Sequence, residues 1–219
     1  MHNSVQNYKD IINLIKLKLE DQNNIKLPKI IAVSKTFHLE KIIPLIHYGH
    51  LDFGENKVQE ATDKWAQIKL KNPNIKIHLI GKLQTNKVKF AIKIFDYIHS
   101  LDSEKLAKKI VDEEIKQNKK VKIFIQVNIG SEDQKSGIDK FQVNDFYNYC
   151  KKLNLNIIGL MCIPPINENP DNYFNEIKIL NQKLNLPELS MGMSSDYLKA
   201  VENSSTYLRI GSNIFGPRN

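Results

Sequence analysis

Apolar positions along this chain switch repeatedly between two rhythms. Residues 8–20 carry Ile11, Leu14, Ile15 and Leu19 at helical spacing, which predicts an amphipathic helix at the start. Short β-branched, apolar runs follow at 29–34, 50–54, 75–80, 96–100, 121–129, 156–163, 188–193 and 206–211, and each reads as a buried strand. Helical stretches lie between them. One puts Val88, Ala91, Ile92 and Phe95 on a single face; another starts after Asp102 or Ser103 and carries Leu106, Ile110 and Val111. Asp139-Lys-Phe-Gln142 reads as a capping pattern ahead of a further helix. Eight strands, each but the last followed by a helix, imply a parallel sheet, and eight repeats imply closure. The expected fold is α/β: a single (β/α)8 TIM barrel with an extra N-terminal helix, one domain over residues 1–219. An open doubly wound sheet would want a glycine-rich turn after the first strand, and Val33-Ser-Lys-Thr36 is not one.

In such a barrel the C-terminal strand ends open onto one face, where sites are built. Here those ends carry Lys35, Asn56, His78, Met161, Met193, Ser194 and the run Arg209-Ile-Gly-Ser212. Lys35 stands where the apolar run Ile30-Ile-Ala-Val33 ends, its stem among apolar neighbours and its amine at the mouth. That placement lowers a lysine pKa and yields an amine that attacks carbonyls. The plainer reading, a solvated lysine starting a loop, has to be weighed against the other strand ends.

Composition narrows the partners. The net charge of +8 invites a nucleic-acid reading, but the lysines spread along the whole chain and alternate with acids, as in Asp112-Glu-Glu-Ile-Lys116. Lysine, asparagine and isoleucine are the residues of AT-rich codons, so the excess reads as genome bias on solvated faces. No nucleic-acid partner is expected. The two arginines, Arg209 and Arg218, therefore stand out in so lysine-rich a chain. No apolar run reaches eighteen residues and the first ten residues hold no signal-type stretch, so no membrane partner is expected. Two cysteines, Cys150 and Cys162, without metal spacing fit reduced thiols in a cytoplasmic protein. The pair His47 and His50 lacks a third ligand, and no metal is expected.

The last two strand ends add an anion site. Leu189-Ser-Met-Gly-Met-Ser-Ser-Asp196 precedes the helical stretch Tyr197 to Glu202, so Ser194 reads either as a phosphate contact or as part of a plain helix cap. Gly211 lets backbone approach a ligand and Ser212 adds a hydroxyl, and barrels often bind phosphate with the loops after strands seven and eight. An aldehyde for Lys35, a phosphate for Ser194, Gly211 and Ser212, and a flat ring between them describe pyridoxal 5′-phosphate (PLP). Arg209 would face the pyridine nitrogen. A guanidinium donates and cannot accept a proton, so the ring stays a weak electron sink. Asn56, His78, Met161 and Met193 are the candidate pocket-lining residues, with a satisfied core histidine an equal reading of His78.

These residues sit in ordered blocks: Ala32-Val-Ser-Lys-Thr36, Phe53-Gly-Glu-Asn56 with Gln59-Glu60, His78-Leu-Ile-Gly-Lys-Leu-Gln-Thr-Asn-Lys87, Val127-Asn128 with Lys135-Ser-Gly137, Gly159-Leu-Met161 with Ile163-Pro164, Leu189-Ser-Met-Gly-Met-Ser194, and Leu208-Arg-Ile-Gly211 with Ile214-Phe-Gly216. Over essentially its whole length the chain resembles the pyridoxal phosphate homeostasis protein family, itself similar to the barrel domain of fold-type III PLP enzymes such as alanine racemase. The resemblance implies a Schiff base at Lys35, phosphate held by Ser194 and the Gly211–Ser212 turn, and Arg209 at the ring nitrogen. It implies a protein that holds PLP as a lysine aldimine and serves intracellular PLP homeostasis, by buffering and delivery to apo PLP-dependent enzymes, without robust catalysis. A monomer is expected, because the site draws on one barrel.

The alternative is a racemase-like enzyme. It needs an acid/base on each face of the substrate Cα. In the racemases the second group is a tyrosine from a partner subunit's additional domain, and the sequence as it stands predicts no such domain. Departures from the family pattern are Lys57 in place of an aromatic, Ser204-Ser205-Thr206 in place of Gly-Ser-Thr, and Ser212 in place of a common Thr.

Overall fold

The computed structural model describes residues 3–20, 26–132 and 134–217; Arg218 lies outside the described residues. The elements alternate: α1 (Asn3–Glu20), β1 (Lys29–Val33), α2 (Leu39–His47), β2 (Asp52–Glu55), α3 (Val58–Lys71), β3 (Lys76–Leu79), α4 (Val88–Ile94), β4 (Tyr97–Leu101), α5 (Glu104–Gln117), β5 (Lys122–Asn128), β6 (Ile138–Asp139), α6 (Val143–Lys152), β7 (Ile157–Cys162), α7 (Pro170–Lys183), β8 (Glu188–Met193), α8 (Tyr197–Glu202), β9 (Tyr207–Ile210) and α9 (Ser212–Phe215). Strands β1, β2, β3, β4, β5, β7, β8 and β9 pair in parallel around a ring that closes where β9 meets β1. This is the (β/α)8 barrel, with α1 as the extra helix.

Two details differ from the sequence expectation. The last strand is followed by a single helical turn, α9, too short to show a period in its sequence. Asp139 does cap ahead of a helix, its carboxylate accepting the Phe141 N–H at 2.8 Å, but through a 3-10 turn over Lys140–Gln142 that runs into α6, and Ile138–Asp139 themselves pair with Val127–Asn128 of β5.

Burial follows the two rhythms. The larger core lies between barrel and helices, where Phe53, Trp65, Ile77, Phe95, Ile110 and Phe174 are fully buried. Removing such side chains from water stabilises the fold by roughly 1.5–3 kcal/mol each. A smaller cluster of Ile31, Tyr97, Phe124, Met161 and Tyr207 fills the barrel interior. Helix α1 spans the closing seam: Asn7 donates from Nδ2 to the Ile214 carbonyl at 3.0 Å, and Lys18 pairs with Glu202 at 2.5 Å. No helix among the described residues is long and apolar enough to cross a membrane.

Candidate functional site

Lys35 follows β1 on the C-terminal rim, half-buried, between two residues that are each tied down. The Ser34 hydroxyl donates to Glu55 Oε1 at 2.8 Å. The same carboxylate oxygen accepts from Lys64 Nζ at 2.9 Å and from Trp65 Nε1 at 3.0 Å. Lys64 also reaches the Ser34 carbonyl at 2.9 Å. On the other side, Thr36 has a left-handed backbone, φ 67°, and its N–H meets Glu60 Oε1 at 2.7 Å. Burial raises the Glu55 carboxyl above its usual range, against the pull of Lys64, Trp65 and Ser34. The lysine backbone is thus fixed by neighbours on β2 and α3.

The anion-binding candidates come together on the adjacent strand ends. Ser194 Oγ accepts the Gly211 N–H at 3.3 Å and the Asn213 N–H at 3.5 Å, and Asn213 Nδ2 donates to the Ser194 carbonyl at 2.9 Å. Ser194 is therefore not spent on capping α8. Asp196, at the N-cap position, makes no capping bond either, and its carboxylate accepts the Met193 N–H at 2.5 Å. Gly211, just after β9, packs against the end of β1: a Cβ there would stand 3.3 Å from the Val33 Cβ and carbonyl oxygen. With Ala32 opposite Ile210 in the ladder, the Lys35 turn and the Gly211–Asn213 turn sit side by side across the seam. Ser212 opens α9 and is exposed.

Arg209 points into the barrel and is buried. Its Nη1 donates to Ser190 Oγ and its Nη2 to the Cys162 carbonyl, both at 2.8 Å. Met161 is buried in the interior cluster and Met193 is half-buried opposite Arg209 in the ladder. Asn56 lines a cleft of about 330 Å³ on the rim with Gly81, Lys82, Asn128 and Lys135. His78 does not join them. It is fully buried, and its Nδ1 bonds His99 Nε2 at 3.0 Å while its Nε2 bonds Asp52 Oδ1 at 2.9 Å, which places it towards the start of β2. His78 therefore takes the other reading that the sequence leaves open, a satisfied core histidine, rather than lining the mouth.

Other candidates have structural partners. His50 bonds the Asp52 carbonyl at 2.7 Å, and among the described residues no three His, Cys, Asp or Glu side chains cluster as metal ligands. Trp65 packs α3 on Phe53 with ring centroids 4.8 Å apart. Burial pushes the Cys150 and Cys162 thiols up to about 12, which keeps them protonated and inert.

Sequence reasoning passed over Glu55, Lys64, Ser190, His99 and Asp52 as functional residues. Glu55 stood inside a quoted block. For Ser190 and His99 the available signal was a polar residue at an inward position of an otherwise apolar strand, readable only once the register is known.

With this geometry in view, the comparisons are specific. The family described as alanine racemase, N-terminal domain, matches residues 19–219. The pyridoxal phosphate homeostasis protein of Aquifex aeolicus is 38% identical over 200 residues, covering 87% of each chain. That of Homo sapiens is 35% identical over 211 residues, covering 87% of this chain and 77% of its own. PipY of Synechococcus elongatus, solved with PLP bound, superposes with a TM-score of 0.80 at 32% identity, over 92% of this chain and 100% of that one. Alanine racemase of Clostridium difficile gives a TM-score of 0.72 at 14% identity, over 98% of this chain and 56% of that one, a likeness of fold. A family model matched over residues 19–219 and relatives 35–38% identical over 87% of the chain make it a member of the pyridoxal phosphate homeostasis protein family.

Proposed function

We propose that this protein binds PLP at the C-terminal rim and keeps it in reserve. The observation that carries the reading is the convergence of the Gly211 and Asn213 N–H groups on Ser194 Oγ, beside the Lys35 turn. The donor set suits the group: hydroxyls and backbone N–H for a phosphate, an amine for an aldehyde, and a permanent donor for a ring nitrogen. Gly211, with no Cβ, keeps the cradle close to β1. Lys35 is the covalent attachment point, Ser194, Gly211 and Ser212 hold the phosphate, and Arg209 orients the ring. Bound PLP supplies an aldehyde and an electron-withdrawing ring.

The arginine supports holding over turnover. It is a donor anchored at two points, so it gives the ring nitrogen a hydrogen bond and no readily transferred proton. Tyr207 does not offer the second acid/base that racemisation needs. Its hydroxyl accepts from Lys29 Nζ at 3.1 Å at the start of β1 and β9, the far end of the barrel from Lys35. The reading extends to a monomeric, cytoplasmic PLP reservoir that delivers to apo PLP-dependent enzymes.

The test is a visible spectrum of protein titrated with PLP, then borohydride reduction and peptide mass mapping. A yellow chromophore fixed to the Lys35 peptide supports the reading, and a protein that stays colourless overturns it. Amino-acid racemisation rates, with Lys35→Ala as control, separate reserve from enzyme. Delivery is tested by the rate at which loaded protein activates an apo-enzyme, compared with an equal concentration of free PLP.

A further inference from the structure

A row of hydrogen bonds crosses the barrel beneath the candidate site. It runs from Arg209 Nη1 to Ser190 Oγ at 2.8 Å, on to His99 Nδ1 at 2.9 Å, from His99 Nε2 to His78 Nδ1 at 3.0 Å, and from His78 Nε2 to Asp52 Oδ1 at 2.9 Å. Arg209, Ser190, His99 and His78 are all buried, while Asp52 is partly exposed at the start of β2. Tyr97 stacks on His78 with centroids 4.1 Å apart, and Phe124 stacks on His99 at 4.3 Å, so both imidazoles are held flat and dry.

The end groups dictate which way the protons point. A guanidinium only donates, so Ser190 accepts from it, and the serine proton goes to His99 Nδ1. His99 must then carry its proton on Nε2 and give it to His78 Nδ1. His78 in turn carries its proton on Nε2 and gives it to the carboxylate, which only accepts. We propose that Asp52, on the N-terminal face, is a positioning residue for Arg209: it sets the direction of this relay and so fixes the guanidinium beneath the cofactor.

Burial supports neutral rings. It lowers the pKa of His78, and it lowers that of His99 well below the ordinary value, with His78 and Arg209 adding to the effect. Two neutral imidazoles can form this row in one direction or the other, and the terminal carboxylate decides between them. Without it, His78 can reverse and donate from Nδ1 to His99, and His99 can donate to Ser190. The serine oxygen would then accept from both His99 and Arg209, so the Arg209 bond to Ser190 is shared and weakened while its bond to the Cys162 carbonyl remains. Aligned hydrogen bonds also polarise one another, so the reversal weakens the row as a whole.

The cofactor end of this inference rests on the PLP reading; the proton arrangement does not, and the experiment separates the two. Imidazole 15N NMR of the cofactor-free protein reads which nitrogen of each ring is protonated. Wild type is expected to show the Nε2–H tautomer for both His78 and His99, and Asp52→Ala to move His78 to Nδ1–H. Either ring found as Nδ1–H or doubly protonated in wild type overturns the proposal, as does an unchanged His78 in Asp52→Ala. PLP titration followed by absorbance should show Asp52→Ala binding about fivefold more weakly with a shifted maximum. Asp52→Ala that binds and absorbs as wild type sinks the positioning role. Ser190→Ala, which cuts the row beside the arginine, should reproduce the spectral shift, and a wild-type spectrum from it counts against the proposal. If wild type itself takes up no PLP, the functional reading fails while the tautomers still decide the relay.

Discussion

Ser34 donates its hydroxyl to Glu55 at 2.8 Å, so the residue preceding Lys35 is fastened to the strand beside it. Glu55 has no exposed surface and gathers Ser34, Lys64 and Trp65 on one oxygen. Glu55→Ala strips three donors of their acceptor and leaves the largely buried Lys64 ammonium with Glu60 as its remaining carboxylate partner, at 3.0 Å. The expected loss is about 3 kcal/mol of stability, a fall in Tm of roughly 6–12 °C. Glu55→Gln, which keeps an acceptor, should lose less than half of that. Thermal and urea unfolding measure both, and a Glu55→Ala melt equal to wild type would refute the assignment.

Gly211→Ala places a methyl 3.3 Å from two Val33 atoms, so the β9 turn must back away from β1 by a few tenths of an ångström. The barrel should tolerate that shift, but a cradle built across the seam should not. PLP affinity is expected to drop about tenfold, with Tm nearly unchanged. Absorbance titration checks the first half and a thermal melt the second.

Ser204 takes a left-handed backbone, with φ 66°. The Ser204 N–H meets the Val201 carbonyl and the Ser205 N–H the Ala200 carbonyl, both at 2.9 Å, the pairing that closes a helix with a left-handed residue. Ser204→Gly removes the Cβ strain and should add about 0.5–1 kcal/mol, raising Tm by roughly 1–4 °C. A lower melting temperature would show that the serine compensates for its backbone in some other way.

Acid should weaken the fold before its carboxylates titrate. Burial lowers His50 to about 4, only partly offset by its bond to the Asp52 carbonyl, and His78 and His99 move in the same direction. A depressed folded-state pKa means that the unfolded chain takes up protons first as pH falls below the ordinary histidine value. Stability is then full above about pH 6.5 and is lost towards pH 4, with His50 alone contributing about 2 kcal/mol of loss between pH 6.5 and 5. Glu55 and Asp102, whose carboxyls burial raises, act in the opposite sense at the acid end. Urea midpoints at descending pH should show this slope, and His50→Gln should flatten it.

The barrel was legible because parallel strands buried on both faces read as compact β-branched runs, and Ile30 to Val33 or Ile123 to Val127 leave little room for another reading. Ends were less clear. His50 and Leu51 look like strand by composition, yet they sit in the turn before β2, where the His50 ring caps the Asp52 carbonyl. Lys35, Ser194 and Gly211 were legible because strand ends in a closed ring are forced to one face. The row from Asp52 to Arg209 was not, since its members come from β2, β3, β4, β8 and β9. Only the register tells which polar side chains point inward and meet.

Lys35 and the candidate anion-binding turn at Gly211 follow the first and last strands of the ring. During synthesis Lys35 leaves the ribosome long before Gly211, so neither half of the site has its counterpart until β9 docks against β1. A ligand held by both is in effect a clasp on the seam. On the proposed reading, uptake of PLP would report that the circle has closed, and by mass action it would draw the final strand home.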